Sequence, residues 1–334
     1  MVTSFSSHTG GVIPNRRRHT LVSPAFSRLP PPVIIVGMHR SGTSLVSGML
    51  SLMGVYLDPA WPRAQVDSRV VPPGPLMRRN GYGEAQAFRL LNERLLQQAG
   101  SDWDDPAAFL ELRSKASFER KSLLTMQSAT FSSLKRQFLY GLPYGPHAVS
   151  AWGWKDPRTS LTLPYWLHLF PDARVLHVRR DPEKIADSLI KRALAGGPSA
   201  QPISVKERLV KLATDPKRAI SLVRRRMGLE TPIVKAGSVL DRDYCHELTE
   251  RYVSECERFR VLGSRYTEIH HEDILLAPRT LATQLAEFAG IEVTPEVIEQ
   301  AAAFVSQDNI LPVVNAMTRI ERAPTTDLTT SIMI

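Results

Sequence analysis

The segment Val33-Ile34-Ile35-Val36, running straight into Gly37-Met38-His39-Arg40-Ser41-Gly42-Thr43-Ser44, constrains this chain more than any other. Four β-favouring residues between prolines and a glycine predict a strand buried on both faces, as inside a parallel sheet. Leu45, Met49, Leu52 and Met53 then recur at helical spacing. A strand, a glycine turn and a helix N-terminus aim free backbone N–H groups and the positive end of the helix dipole at one point, an arrangement that holds a phosphate. Gly37 and Gly42 have Walker A spacing and Ser44 takes the hydroxyl position, yet Thr43 stands where that loop carries lysine. An ATPase or kinase needs that lysine on the β- and γ-phosphates. Here the cation is Arg40, inside the loop, and Thr43 and Ser44 offer two adjacent hydroxyls. The pattern reads either as a plain Gly/Ser turn or as a seat for a terminal 5′-phosphate without a metal-bridged triphosphate.

The remaining chain alternates in the same manner. Strands are predicted over 147–154, 174–178 and 266–270, and helices over 84–98, 115–140, 161–170, 182–194, 241–262, 278–289 and 295–305. Such alternation predicts a three-layer α/β/α fold around a central parallel sheet. Hydrophobic residues at 43% and charged residues at 22% are ordinary for a globular protein. With no repeat or linker inside it, residues 32–308 are expected to form one domain. A basic, Ser/Thr/Gly/Pro-rich tail at 1–31 precedes it and an irregular segment at 309–334 follows. Residues 58–83, rich in proline and glycine, read as a long functional or mobile loop. No apolar stretch approaches the ~20 residues of a membrane span, and no charged-then-apolar leader opens the chain. A soluble, cytoplasmic protein is therefore expected. Cys245 and Cys256 are its two cysteines, eleven residues apart in one predicted helix. At about 16 Å along the axis they are too far apart to bridge.

A second anion site is legible near residue 180. The strand Val175-Leu176-His177-Val178 ends in Arg179-Arg180-Asp181-Pro182, with Ser188 eight residues after Arg180. If a helix starts at Pro182, Ser188 lies on its second turn and faces back to the strand end. Arg180 and Ser188 then clamp a phosphate by charge and hydrogen bond; alone, such an arginine is as readily a surface ion pair. Two anion sites at neighbouring strand ends describe a ligand gripped by phosphate-like groups at both ends, such as a 3′,5′-bisphosphorylated adenosine. The balance of 42 Lys+Arg against 33 Asp+Glu, net +9, suits a polyanion.

The strand, His39-Arg40-Ser41-Gly42-Thr43-Ser44 and the helix after it resemble the 5′-phosphosulfate loop of sulfotransferases. Arg180 with Ser188 resembles their 3′-phosphate motif, spacing included. The Arg40-to-Ser44 form is similar to that of the tyrosylprotein sulfotransferases and of a broad group of bacterial sulfotransferase-like proteins. So are Asn80-Gly81-Tyr82-Gly83-Glu84, Trp154-Lys155-Asp156-Pro157-Arg158 and His271-Glu272-Asp273-Ile274. The resemblance spans about 32–305. It implies the nucleotide-triphosphate-hydrolase-like fold, with 3′-phosphoadenosine-5′-phosphosulfate (PAPS) as donor and no metal. Donor contacts are implied for Arg40, Ser41, Gly42, Thr43, Ser44, Arg180 and Ser188.

Sulfuryl transfer to a hydroxyl needs a cation for the leaving phosphate, donors for the sulfuryl oxygens and a base for the acceptor proton. Arg40 and the loop N–H groups meet part of this. Lys155 stands at a predicted strand end, and the resemblance puts it on the leaving oxygen; a structural Lys155–Asp156 turn is the other reading. Arg158 helps the same charge. Two residues compete as base. Glu84 parallels the glutamate of the tyrosylprotein group, though at a helix start it also reads as an N-terminal charge partner. His39 replaces the family's usual proline beside the chemistry. His177, inside a strand, reads as a hydrogen-bonded core histidine. The basic run at 205–227 is either a solvated helix face or a grip for an acidic acceptor such as a glycan. It lacks the interleaved aromatics of a nucleic-acid surface. Glycan, lipid, small-metabolite and tyrosyl hydroxyls all stay open as acceptors. So do two other functions, a nucleotide kinase or ATPase of the same fold and a non-catalytic nucleotide-binding protein.

Overall fold

The computed structural model describes residues 22–59, 84–139, 149–194 and 239–305. Strand β1 (Val33–Val36) pairs in parallel with β2 (Gly153–Lys155) on one side and β3 (Arg174–Arg179) on the other. Strand β4 (Tyr266–His270) adds beyond β3, giving the order β2-β1-β3-β4. Successive strand side chains point to opposite faces, so a strand apolar at every position needs cover on both. Ile34, Val36, Trp154 and Val175 accordingly enter one core, and Val33, Ile35, Leu176 and Val178 enter another.

In chain order the helices are α1 (Pro24–Ser27), α2 (Thr43–Leu52), α3 (Gln86–Gln98), α4 (Ala107–Leu112), α5 (Ala116–Phe131) and α6 (Ser133–Gln137). They continue with α7 (Thr159–Leu169), α8 (Pro182–Leu194), α9 (Arg242–Glu257), α10 (His271–Leu276) and α11 (Pro278–Ala289). Residues 295–305 are helical too. Helices α2, α10, α11 and 295–305 cover the Val33 face; the others cover the Ile34 face. This is the three-layer α/β/α fold that the alternation predicts.

The differences from expectation are local. Val22, Phe26 and Leu29 are buried in the Ile34-side core, with Phe26 5.5 Å from Trp152 between ring centroids. Residues 22–31 therefore pack onto the domain and do not belong to the tail expected over 1–31. The i, i+4, i+7 spacing of those three residues is the signal that a Pro/Ser-rich composition hides. The strand expected over 147–154 is three residues long and extends to Lys155. The helix expected over 115–140 breaks at Ser132, where φ is −124° and ψ −92°. Cys245 and Cys256 lie in α9 and are both free. Among the described residues no helix is long and apolar enough to cross a membrane. Residues 1–21, the 60–83 part of the long loop, the basic run 205–227 and the segment 309–334 lie outside the described residues.

Candidate active site

At the end of β1 the backbone turns through Gly37 (φ 143°), Arg40 (φ 72°) and Gly42 (φ 100°) into α2. Gly42 is the N-cap and no side chain caps the helix, so its first N–H groups stay open to the loop. A Cβ on Gly42 would sit 2.4 Å from His271 Nδ1, which excludes any other residue there. Arg40 adopts the left-handed conformation at a cost of roughly 1–2 kcal/mol. Two contacts hold it. Arg180 Nη1 donates to the Arg40 carbonyl at 2.9 Å, and Arg40 Nε donates to Ser188 Oγ at 2.8 Å.

The two anion sites expected at opposite ends of a nucleoside are thus one patch, because β1 and β3 are hydrogen-bonded neighbours. Side-by-side seats suit two anions on a single ribose ring. Ser188 does lie on the turn of α8 that faces the strand ends, but it meets Arg40 and not Arg180. Around the loop His39 Nε2, Ser41 Oγ, Arg180 Nε and His271 Nδ1 are buried without hydrogen-bond partners among the described residues. Buried polar atoms are ordinarily satisfied, so four around one loop form a set that a polar ligand would complete. Burial, then the Arg192 and Arg180 charges, holds the Arg40 guanidinium below its ordinary pKa. Burial and then Arg180 push His271 down to about 4.

The β2 flank of the loop differs. Lys155 is abreast of Ile35 in the sheet register and only 1% exposed. Its Nζ donates to Glu84 Oε1 at 2.6 Å and to Ser44 Oγ at 3.3 Å. Glu84 lies just ahead of α3, which the Phe88 ring fixes by stacking on Trp154 at 4.4 Å and 9°. Burial alone would raise the Glu84 pKa, but the Lys155 charge and hydrogen bond outweigh it and hold the carboxyl below its usual range.

Beneath this pair, Asp156 accepts from Asn92 Nδ2 at 2.8 Å and from Arg158 Nη1 at 2.9 Å. Asn92 Nδ2 also donates to Thr159, while Thr162 and Trp166 donate to its Oδ1, each at 2.8 Å. Every hydrogen-bonding position of that amide is in use. Arg158 continues to Glu93 at 3.1 Å, and Glu93 accepts from Arg89 at 2.6 Å.

His39 packs its ring 4.4 Å from that of Trp103. Burial, followed by the Arg158 and Lys155 charges, holds its imidazole well below the ordinary pKa, hence neutral. A cavity of about 380 Å³ opens beside it, between Arg40, Trp103, Arg158 and the α8 residues Leu189 and Arg192. His177 Nδ1 lies 2.8 Å from the Tyr266 hydroxyl in the core, as its strand position predicts.

Four participants receive no role from the sequence, although the blocks Leu91–Leu96 and His271–Ile274 that contain two of them share the resemblance. Ser160 Oγ accepts from the Gly37 N–H at 3.0 Å, and Asn92, Trp103 and His271 take the places just given. Asn92 leaves a trace, a lone amide on the apolar face of α3 between Phe88 and Leu95. Trp103 sits in a short connection with no periodicity to betray it.

The sequence profile of the Sulfotransferase family matches residues 31–222. No curated protein is matched. Among solved structures the chain is similar to sulfotransferase STF1 from Mycobacterium tuberculosis H37Rv, with TM-score 0.46 and 15% identity over 82% of this chain and 71% of that one. Sulfotransferase STF9 from Mycobacterium avium gives 0.45 and 16% over 88% and 71%. A sulfotransferase from Alicyclobacillus acidocaldarius gives 0.39 and 16% over 89% and 98%. The profile match takes in the loop, Lys155, Arg180 and Ser188 and more than half of the 334 residues, and on that ground the chain belongs to the sulfotransferase family.

Proposed function

We propose that the protein transfers the sulfuryl group of PAPS to a hydroxyl acceptor and releases adenosine 3′,5′-bisphosphate. The observation that carries this reading is the Ser44–Lys155–Glu84 trio, which joins the loop, a buried ammonium and a carboxylate by hydrogen bonds. Arg40, Ser41, Gly42, Thr43 and Ser44 hold the 5′ group; Arg180 and Ser188 hold the 3′-phosphate beside it. The unpartnered atoms of Ser41 and Arg180 support that fit.

In the reaction the acceptor oxygen attacks sulfur while its proton passes to Glu84. The bond from sulfur to the 5′-phosphate oxygen breaks on the opposite side, and its electron pair stays on the phosphate. Lys155, Arg40 and the loop N–H groups take up that charge. A donor at Ser44 draws Lys155 away from Glu84, which removes the influence lowering the carboxyl pKa and makes it a stronger base. We assign the proton to Glu84 and not His39, because an imidazolium at His39 would be buried away from water and would also face Arg158, Lys155, Arg192 and Arg40.

Against a kinase or ATPase, position 43 is a threonine, and the cations at the loop are Arg40 within it and Lys155 from β2. Asp156, the carboxylate following β2, is turned into Asn92 and Arg158 and away from the loop. Calorimetry against adenosine 3′,5′-bisphosphate and against Mg·ATP tests the reading, with tighter binding of the bisphosphate expected. Preference for Mg·ATP overturns it, and bisphosphate binding without transfer of labelled sulfate to any acceptor favours a non-catalytic binding protein.

A further inference from the structure

The cavity beside His39 has a chemical character of its own. Trp103 sits in a tight turn whose ends, Asp102 and Asp105, exchange backbone hydrogen bonds at 3.2 and 3.3 Å. Its carbonyl accepts from the Tyr252 hydroxyl at 2.8 Å, its N–H donates to Asp102 Oδ1 at 2.7 Å, and the Tyr244 hydroxyl donates to the Asp104 carbonyl. These bonds fix the backbone that carries the indole, which is partly buried against the core with its ring beside that of His39. Asp102, Glu93 and Arg89 line the same cavity. Glu93 is held in place by Arg89 and Arg158.

Resting on the function proposed above, we infer that this cavity takes a saccharide as the acceptor, one ring stacked on Trp103 with its hydroxyls bonded by Asp102, Glu93 and Arg89. A pyranose has a face of C–H bonds that suits the negative face of an indole, and a rim of hydroxyls that both donate and accept. A carboxylate–guanidinium pair matches that rim with acceptors and donors together. Acceptors of other kinds fit worse. A sterol or acyl chain would cover the remaining carboxylate oxygens of Asp102 and Glu93 and shut them off from water without offering them a donor. Apolar cover in the cavity comes chiefly from Leu189, Ala193 and Val239. A phenol offers one hydroxyl, already committed to the reaction. The position also suits an acceptor, because His39 and Arg40 of the loop wall the cavity and Ser44, at the far end of the same loop, contacts Lys155.

The test incubates the full-length protein with labelled PAPS and a panel of methyl glucoside, methyl galactoside, N-acetyltyrosine amide, cholesterol and a long-chain alcohol. Transfer to a methyl glycoside in preference to the phenol and lipid alcohols is expected. Trp103→Ala is expected to raise the glycoside KM at least tenfold, with a smaller change in kcat and an unchanged Kd for adenosine 3′,5′-bisphosphate. Trp103→Phe restores most of the loss. Should Trp103→Ala not fold, Asp102→Asn decides, with a severalfold rise in the same KM expected. Preferred sulfation of the phenol or a lipid alcohol overturns the inference, as does a glycoside KM unmoved by these variants. Bisphosphate binding without transfer to either glycoside overturns the acceptor class and leaves the nucleotide site standing. Failure to bind the bisphosphate overturns the function beneath it as well.

Discussion

The two flanks of β1 are built on opposite electrostatic plans. On the β2 flank the charges are matched: Lys155 with Glu84, Arg158 with Asp156 and Glu93, and an Asn92 amide with four bonds. On the β3 flank Arg40 and Arg180 lie close together with Arg192, the Glu272 and Asp181 carboxylates act on Arg180, and among the described residues Ser41, Arg180 and His271 each leave a buried polar atom unsatisfied. A matched network is already in position when charge moves, so it suits the reacting end of a ligand. Cations crowded together oppose folding, and a bound anion returns that free energy as affinity and added stability. On the proposed function, the contrast divides the work of one loop, with the chemistry on one side and the binding energy on the other. Damage to the first should appear in turnover and folding, damage to the second in Kd.

The largest effect is expected from Lys155→Ala. Removing the ammonium that the proposed reaction sets against the leaving phosphate should cut kcat by about 10³-fold or more, while the Kd of adenosine 3′-monophosphate, which lacks the 5′ group that Lys155 meets, moves by less than about threefold. The same change strands Glu84 and should cost roughly 3 kcal/mol of stability. Rapid-quench turnover, calorimetry and urea unfolding read the three quantities separately, and a large loss of adenosine 3′-monophosphate affinity would erase the division between flanks. Next comes Asn92→Ala, which abandons Asp156, Thr159, Thr162 and Trp166 together. Urea unfolding is expected to show a loss of about 3 kcal/mol, with bisphosphate affinity of the folded protein preserved.

The two flanks also differed in how much of them the sequence disclosed. The β3 flank is written in short local patterns, a strand into a glycine loop and an arginine eight residues before a serine, so Arg40, Arg180 and Ser188 are legible as candidates for an anion site. Their direct contact is not, because it depends on β1 lying beside β3 and on Arg40 adopting a left-handed conformation that no residue type announces. The β2 flank is assembled across long separations, with Ser44, Glu84 and Lys155 spread over 111 residues. Local periodicity placed each on its element; only the sheet register and the Phe88–Trp154 stack bring them together. Trp103 gives no signal because its connection has no pattern, and residues 22–31 read as tail because composition outweighs three well-spaced apolar residues.

Smaller effects are expected on the β3 flank. Arg180→Ala should weaken adenosine 3′,5′-bisphosphate roughly 10- to 100-fold, and Ser188→Ala about fivefold, as for loss of a charge-assisted and a neutral hydrogen bond. Adenosine 5′-monophosphate, lacking the 3′ anion, should lose less than about threefold in either variant. Equal losses for both nucleotides would mean that Arg180 serves the loop backbone through the Arg40 carbonyl and not the 3′-phosphate.

The subtlest test asks whether the flanks communicate. In the free enzyme Lys155 holds the Glu84 carboxyl below its ordinary pKa, so the base stays ionised well into acid, and kcat/KM should fall only below the usual carboxylate range. Once the donor occupies Ser44 and Lys155 turns to the leaving oxygen, the Glu84 pKa rises, so the acid limb of kcat should lie at higher pH than that of kcat/KM. Rates near neutrality barely change, which makes the separation of the limbs the informative quantity, and Glu84→Gln should remove both. Coincident limbs would mean that Lys155 keeps its bond to Glu84 while the donor is bound. Lys155 would then not link donor binding to the strength of the base.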